Sequence, residues 1–293
     1  MNRLPVMLLA LWAAGCGPSG PMDDPKVGEG VLPQATSARP SFSCTGGIGI
    51  TLIGGGNASA CEERDYSGLG ATGSARIRNA NGSNVAGGVE SPTLTLRAYV
   101  HATSDTQEHA DALLQKVTVH TAGNDFYATG PQSQSPDAWW VDFDLDLPTR
   151  TSLASSAING DVYAELLVGR LSAEATNGSV TLLGLAGSVT ATSVNGSVDV
   201  DLSGASSWSG GGVNAMAQNG GVTFHADADY SGHFVFSADN GSVTSDFGGC
   251  DPQPATQPQR CDFVTGSGGA TLRGSSGNGN VTLSQDTPGL PLP

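Results

Sequence analysis

Carboxylates at regular spacing are the first residues with chemistry to offer. Asp142, Asp144 and Asp146 alternate with Val141, Phe143, Leu145 and Leu147 in a run from Trp139 to Leu147. On a strand, alternate residues share a face, so the three acids line up. Carboxylate oxygens are what Ca²⁺ takes as ligands. The same pattern describes the solvated face of a half-buried strand. Neighbours on one strand face stand roughly 6.6–6.8 Å apart, which is wide for one ion and favours the solvated face. Two further pairs, Asp161 with Glu165 and Asp199 with Asp201, suit the separation of about 5–10 Å that glycoside hydrolysis requires. They read as outward strand positions with no aromatic platform or arginine beside them. His101, His109, His120, His225 and His233 are scattered, and His225 follows Phe224, which points it to solvent. Nucleophile-elbow, zinc-protease and phosphate-loop motifs do not occur. The reading is no catalytic residue, no metal ligand set and no cofactor. Trp208 sits in a glycine-rich stretch, Gly204 to Gly212. There it could bind by stacking on a sugar or anchoring a partner, or fold back as a lid over a core. Trp139 and Trp140 face opposite ways on their strand, which puts at least one in the core.

The elements that must position these residues are written in the composition. Of 293 residues, 42 are glycine, and only 13 % are charged, roughly half the usual share. Lysine and arginine total 12 against 27 acids, a formal net charge of −15. Nucleic-acid binding by counterion release needs clustered cations and is excluded. Helical bundles and coiled coils are excluded too, since they are rich in Ala, Glu, Lys and Leu. Low charge with abundant Gly, Thr, Ser and Val predicts an all-β chain. Thr93 to Val100 reads as a strand. Asp105 to Lys116 is the one convincing helix, capped by Ser104 or Asp105.

From Ile158 a nine-residue beat begins. Glycines stand at 160, 169, 178, 187 and 196, and each is followed two residues later by Val162, Leu171, Val180, Val189 or Val198. Ala164, Ala173, Leu182, Ala191 and Val200 come two further on, and Ile158, Leu167, Thr176, Leu185 and Val194 come two before. Asn-Gly recurs at 159, 177 and 195, so the true repeat is 18 with two strands in each. Asn and Gly tolerate the positive φ of a sharp corner. Asn219-Gly220 and Asn240-Gly241 continue the beat, and Asn278-Gly279 forms a final unit. A nonapeptide calcium roll wants Asp where Val or Leu follows each glycine here, which argues against ions in the coils. The pattern predicts a parallel β-solenoid, right-handed, with coils of about 18 residues and a strand/helix cap at its N-terminal end.

The N-terminus reads as an address. Arg3 precedes an apolar run, Leu4 to Ala14, and Ala13-Ala14-Gly15-Cys16 closes it. This is a secretory signal, too short to span a bilayer. A cysteine directly after small residues resembles the lipobox of bacterial lipoproteins, with Ala13 where leucine is commoner. The resemblance implies that Cys16 is the acylated N-terminus of the mature chain, held by several acyl chains. Gly17 in place of an aspartate directs the expectation to the outer membrane. Setting Cys16 aside leaves four cysteines in two local pairs, Cys44 with Cys61 and Cys250 with Cys261, 17 and 11 residues apart. As disulfides, each would close a loop worth roughly 3 kcal/mol. The spacing lacks the close pairs of a metal site.

The Asn-Gly-Asp-Val at Asn159 and the Asn-Gly-Ser-Val at Asn177, Asn195 and Asn240 resemble the bacterial putative-adhesin family of β-strand repeats, a domain of unknown function. The early strand with a helix and the proline phrase Leu147 to Leu153 share in the likeness. It implies a β-solenoid at the cell envelope, with no reaction and no catalytic residues. The expected layout is a signal peptide over 1–15, a lipidated tether over 16–42, a disulfide-closed segment over 43–70, a solenoid over 71–285 and a tail over 286–293. The expected role is a non-enzymatic scaffold or adhesin-like surface. Its partners would be the membrane through the lipid, and an envelope protein or a glycan. Alternatives are a sensory or accessory lipoprotein acting through a protein partner, and a carbohydrate-active β-helix enzyme.

Overall fold

The computed structural model describes residues 38–44, 58–70, 73–250 and 258–285. The signal peptide, Cys16, most of the tether and the strand expected around Ile48, Ile50 and Leu52 lie outside the described residues. The chain runs β1 (Ala58–Gly70), β2 (Ser74–Asn81), β3 (Asn84–Val89), β4 (Thr93–Ser104), α1 (Gln107–Leu114), β5 (Thr118–His120), β6 (Asp125–Thr129), β7 (Ala138–Pro148), β8 (Ser152–Asn159), β9 (Val162–Glu165), β10 (Val168–Asn177), β11 (Val180–Leu183), β12 (Ala186–Ser193), β13 (Val198–Asp201), β14 (Gly212–Ala217), β15 (Val222–Ala226), β16 (Gly232–Ala238), β17 (Val243–Ser245), β18 (Gln259–Thr265), β19 (Thr271–Ser276) and β20 (Val281–Gln285).

These strands form two ten-stranded mixed sheets that do not close into a barrel. The first is ordered β1-β4-β7-β3-β9-β11-β13-β15-β20-β17, and the second β18-β16-β19-β14-β12-β10-β8-β2-β6-β5. The middle of each sheet is parallel with an 18-residue register. Val162, Val180 and Val198 are opposite one another in the first sheet, as Leu153, Leu171 and Val189 are in the second. The antiparallel pairings are β1 with β4 and β4 with β7 in the first sheet, β5 with β6 and β16 with β18 in the second.

The core lies between the sheets, filled by the residues that the beat places inward. Val162, Ala164, Leu171, Ala173, Val180, Leu182, Val189, Ala191, Val198 and Val200 are all buried. The position two before each glycine divides into two kinds. Leu167 and Leu185 are buried, whereas Ile158 is 52 % exposed. The corner into the second sheet therefore tucks its leucine inward, and the Asn-Gly corner into the first sheet turns its residue out. This is the physical difference between a repeat of nine and one of 18.

The helix is shorter than its sequence pattern and begins later. Its N-cap is Thr106, whose hydroxyl accepts the His109 backbone N–H at 3.2 Å. Ser104 and Asp105 are engaged elsewhere, Ser104 donating to Asp137 at 2.6 Å and Asp105 holding the His109 ring at 2.8 Å. Ala110, Leu113 and Leu114 are buried where the helix packs beside β1 and β4.

The last strands break the sequence order. β19 and β20 lie between β14–β15 and β16–β17, paired in parallel on both sides. Among the described residues, the unit latest in sequence is the last but one in space.

Candidate functional site

The acids of β7 are covered. Asp142 and Asp144 are each 6 % exposed, which corrects the solvated face expected of them. Residues 38–44 account for much of the cover. The Arg39 guanidinium binds Asp144, meets Asp146 at 2.5 Å and donates to Leu145 O at 3.1 Å. Glu165 stands 4.0 Å from Arg39 Nε. Arg97 is directly opposite Asp144 in the β4–β7 register and donates to it at 2.6 Å. Burial works against the Arg97 charge, but the carboxylates of Asp144 and Asp146 outweigh it and raise its pKa above the ordinary arginine value. Asp142 accepts the Ser83 backbone N–H at 2.7 Å and lies 3.3 Å from His101 Nε2.

Three residues on from Arg39, Phe42 packs against Val85, Tyr163 and Leu183 and stands 5.8 Å from the Tyr99 ring. Cys44 then joins Cys61, with Cα atoms 5.4 Å apart. Residues 38–44 are thus fastened by an ion cluster, an aromatic contact and a covalent bond. Strand periodicity carries no trace of a segment crossing from elsewhere in the chain. The carboxylate oxygens that would ligate calcium instead meet arginines, a histidine and a backbone amide. Among the described residues no three His, Cys, Asp or Glu side chains are grouped to hold a metal ion.

The carboxylate pairs weighed for sugar hydrolysis are engaged rather than isolated. Asp161 accepts the Ser179 N–H at 2.8 Å, and Glu165 accepts the Tyr163 hydroxyl at 2.8 Å. Asp199 lies 3.3 Å from His225, and Asp201 accepts from both the backbone and the hydroxyl of Ser203. His225 is accordingly half-buried beside an acid, where a solvent-pointing side chain was expected.

Trp208 is not available for stacking on a ligand. It is 8 % exposed, belongs to the main core and donates its indole N–H to Gly187 O at 2.9 Å. The lid reading is the one the structure adopts. A Cβ added to Gly210 would come within 2.5 Å of Gly187 Cα, so the missing side chains let this loop approach and seat the indole. The second disulfide, Cys250–Cys261, has Cα atoms 5.5 Å apart and lies against the aromatic end of the core. Phe234 and Phe263 stack there at 5.4 Å, as do Phe224 and Phe236 at 5.3 Å.

Two features went unread in the sequence. One is a groove of about 730 Å³ on the second sheet, lined by Arg76, Arg78, Arg170, Ser152, Ser172 and Glu174. Arg78 is paired there with Asp125 at 2.6 Å and lies over the Tyr127 ring. The other is a ladder of asparagine side chains. Asn159 donates to Asn81, Asn177 to Asn159, Asn195 to Asn177 and Asn219 to Asn195. Asn278 donates to Asn219, and Asn240 to Asn278. The distances run from 2.8 to 3.1 Å. The recurrence of Asn-Gly was the signal for it.

No protein-family model matches the chain, and no curated protein does. Solved structures resemble it at low identity. A putative cell adhesion protein from Clostridium sporogenes is 12 % identical, with a TM-score of 0.41 over 78 % of this chain and 100 % of that one. A putative adhesin from Bacteroides fragilis is 15 % identical, with a TM-score of 0.42 over 77 % and 97 %. A putative lipid binding protein from Parabacteroides distasonis is 10 % identical, with a TM-score of 0.30 over 80 % and 96 %.

Proposed function

We infer that this chain is a non-enzymatic envelope protein, anchored by lipid at Cys16, whose body is a parallel β-solenoid that presents a binding surface. The observation that carries this reading is the asparagine ladder. Six amide-to-amide bonds join seven Asn-Gly corners along one edge of the molecule. Each corner makes the next one more regular, and aligned amides strengthen one another. The product is a pair of ten-stranded sheets braced along their corners, suited to holding a surface in place rather than to closing around a substrate.

The anchor supplies the other half of the reading. From Cys16 to Ala38 is 22 residues, a reach on the order of 70 Å at full extension. Arg39, Phe42 and Cys44 then tie that tether to the side of the first sheet. Force on the lipid would enter the body through an ion cluster and a disulfide.

Two experiments test the reading. Cells fed labelled palmitate should incorporate it into the wild type and not into Cys16→Ser; label in both sinks the anchor. Protease shaving of intact cells, beside a lysed control, should remove the body if it faces outward. Loss after lysis alone puts the body in the periplasm, rejects adhesion to external surfaces and favours a protein partner within the envelope.

A further inference from the structure

All six ladder bonds run the same way. Each asparagine donates its Nδ2–H toward the N-terminal end of the stack, from Asn240 through Asn278, Asn219, Asn195, Asn177 and Asn159 to Asn81. The row therefore ends in a donor. Asn81 Oδ1 accepts from Asn159 at 2.8 Å, and Asn81 Nδ2 has no partner among the described residues. An amide whose oxygen already accepts is the better donor at nitrogen.

That end of the ladder opens into a recess of about 230 Å³, lined by Asn81, Ser83, Ser133, Trp139, Trp140 and Asn159. Both indoles are held in place. Trp140 stacks on His101 with ring centroids 4.7 Å apart and planes 6° from parallel. Trp139 donates its N–H to Pro131 O at 2.7 Å. Walls fixed in advance lower the ordering cost of binding. The recess is smaller than drug-sized pockets, roughly 300–1,000 Å³, and has room for one ring. None of its lining residues is charged. The chain's net charge of −15 disfavours an anionic visitor as well. An apolar side chain from a protein would leave the Asn81 donor unmet, which is costly. A pyranose meets every term: an apolar C–H face for indole, and hydroxyls for the amides and serines.

The geometry points to this recess as the binding site for one neutral hexose ring, with Asn81 donating to a sugar oxygen. The assignment rests on the binding-surface reading above, and it is measured independently of the protein's cellular address.

The test uses the full chain and methyl glycosides of glucose, galactose, mannose and N-acetylglucosamine. Methyl glucuronide and N-acetylphenylalaninamide serve as comparisons. Saturation-transfer NMR and tryptophan emission report binding. At least one neutral glycoside should bind with a Kd on the order of millimolar. Asn81→Ala should weaken it about three- to tenfold. Trp140→Ala should abolish it, and Trp140→Phe should retain part. Arg76→Ala, on the second sheet, should bind as the wild type does. Thermal unfolding identifies any variant that fails to fold; Asn81→Ala and Trp140→Phe then decide. Silence from every neutral glycoside overturns the site, as does equal binding of the glucuronide or wild-type affinity in folded Asn81→Ala and Trp140→Ala. Binding of N-acetylphenylalaninamide alone reassigns the recess to an aromatic side chain of a protein partner. Any of these with the shaving result intact removes the sugar site and leaves the envelope reading standing.

Discussion

Arg39 shows how much one side chain can carry. It faces Asp144, Asp146 and Glu165, all within 4.0 Å, while Arg97 alone remains to balance them if it is lost. Truncation leaves acids under reduced compensation, which costs more than the pair was worth. Arg39→Ala should destabilise the protein by roughly 1–3 kcal/mol and open residues 38–44 to limited proteolysis; urea melts and digestion patterns check both. A second residue-scale prediction concerns pH. The hydrogen bond that Asp105 accepts from the His109 ring raises the His109 pKa above the ordinary histidine value, and that same bond is the largest cause that lowers the Asp105 pKa. The folded His109 pKa is raised, so its contribution is complete below about pH 6.5 and is lost as pH rises through the raised value. For Asp105 the folded pKa is lowered, so its contribution is present above about pH 3.9 and is lost as pH falls through the lowered value. Imidazole resonances of His109 followed by NMR should titrate above the ordinary midpoint, and Asp105→Asn should return them to it. The sequence showed Asp142, Asp144 and Asp146 and their shared face. It did not show the cover, because Arg39 meets Asp144 from 105 residues away and such contacts leave no local period.

At the scale of the element, the Asn-Gly corner sets the tightest constraint. A Cβ on Gly178 would lie 2.1 Å from Gly160 O, and one on Gly196 would lie 2.1 Å from Gly178 O. Strands about 4.8 Å apart leave no space for it. Gly178→Ala should cost about 1–3 kcal/mol or more through overpacking, whereas Gly70→Ala, with nothing within 4 Å, should leave the melting temperature nearly unchanged. The amides act beside the glycines. Asn177 both donates and accepts in the ladder, while Asn240 only donates. Asn177→Ala should therefore destabilise by about 1–2 kcal/mol and Asn240→Ala by about half of that. Equal losses at the two sites would show that the amides do not act as a row. This level was the most legible in the sequence. Inward positions from Val162 to Val200, the 18-residue register and the corners all follow from residue type at fixed spacing. Trp208 was half legible: glycines around an indole signal a loop, but they do not say which way the indole turns.

The whole molecule departs from what stacking by sequence order predicts. β19 and β20 separate β14–β15 from β16–β17, so Val213 pairs with Leu272, and Leu272 with Phe234. A repeat that slips from 18 residues to 24 and then 21 gives no sign of the exchange, since each unit looks alike and any could stack on any other. The consequence is an order of assembly. The segment from β16 to β18, with its disulfide, joins the sheets of the body through β19 and β20, with only a short backbone bridge at Ser207–Ser231 and a ring contact of its own. Ending the chain after Gly266 removes β19 and β20. Hydrogen exchange on this truncated form should show β16, β17 and β18 unprotected while β8 to β13 keep their protection. A synthetic peptide of residues 267–285 should restore protection to β16 and β17 by filling the vacant position between β14–β15 and β16–β17. If the β16 amides that face β19 rather than β18 stay protected without the peptide, β14 and β16 pair directly, and the body tolerates stacking in sequence order. The choice between the two orders then rests on the aromatic end of the core. Gly274 of β19 lies opposite Phe236, and a Cβ there would come within 2.9 Å of Phe224 and 3.0 Å of Phe236. With β19 in place the two rings stack over its glycine, so a strand made after both rings supplies the one position without a side chain that lets them close.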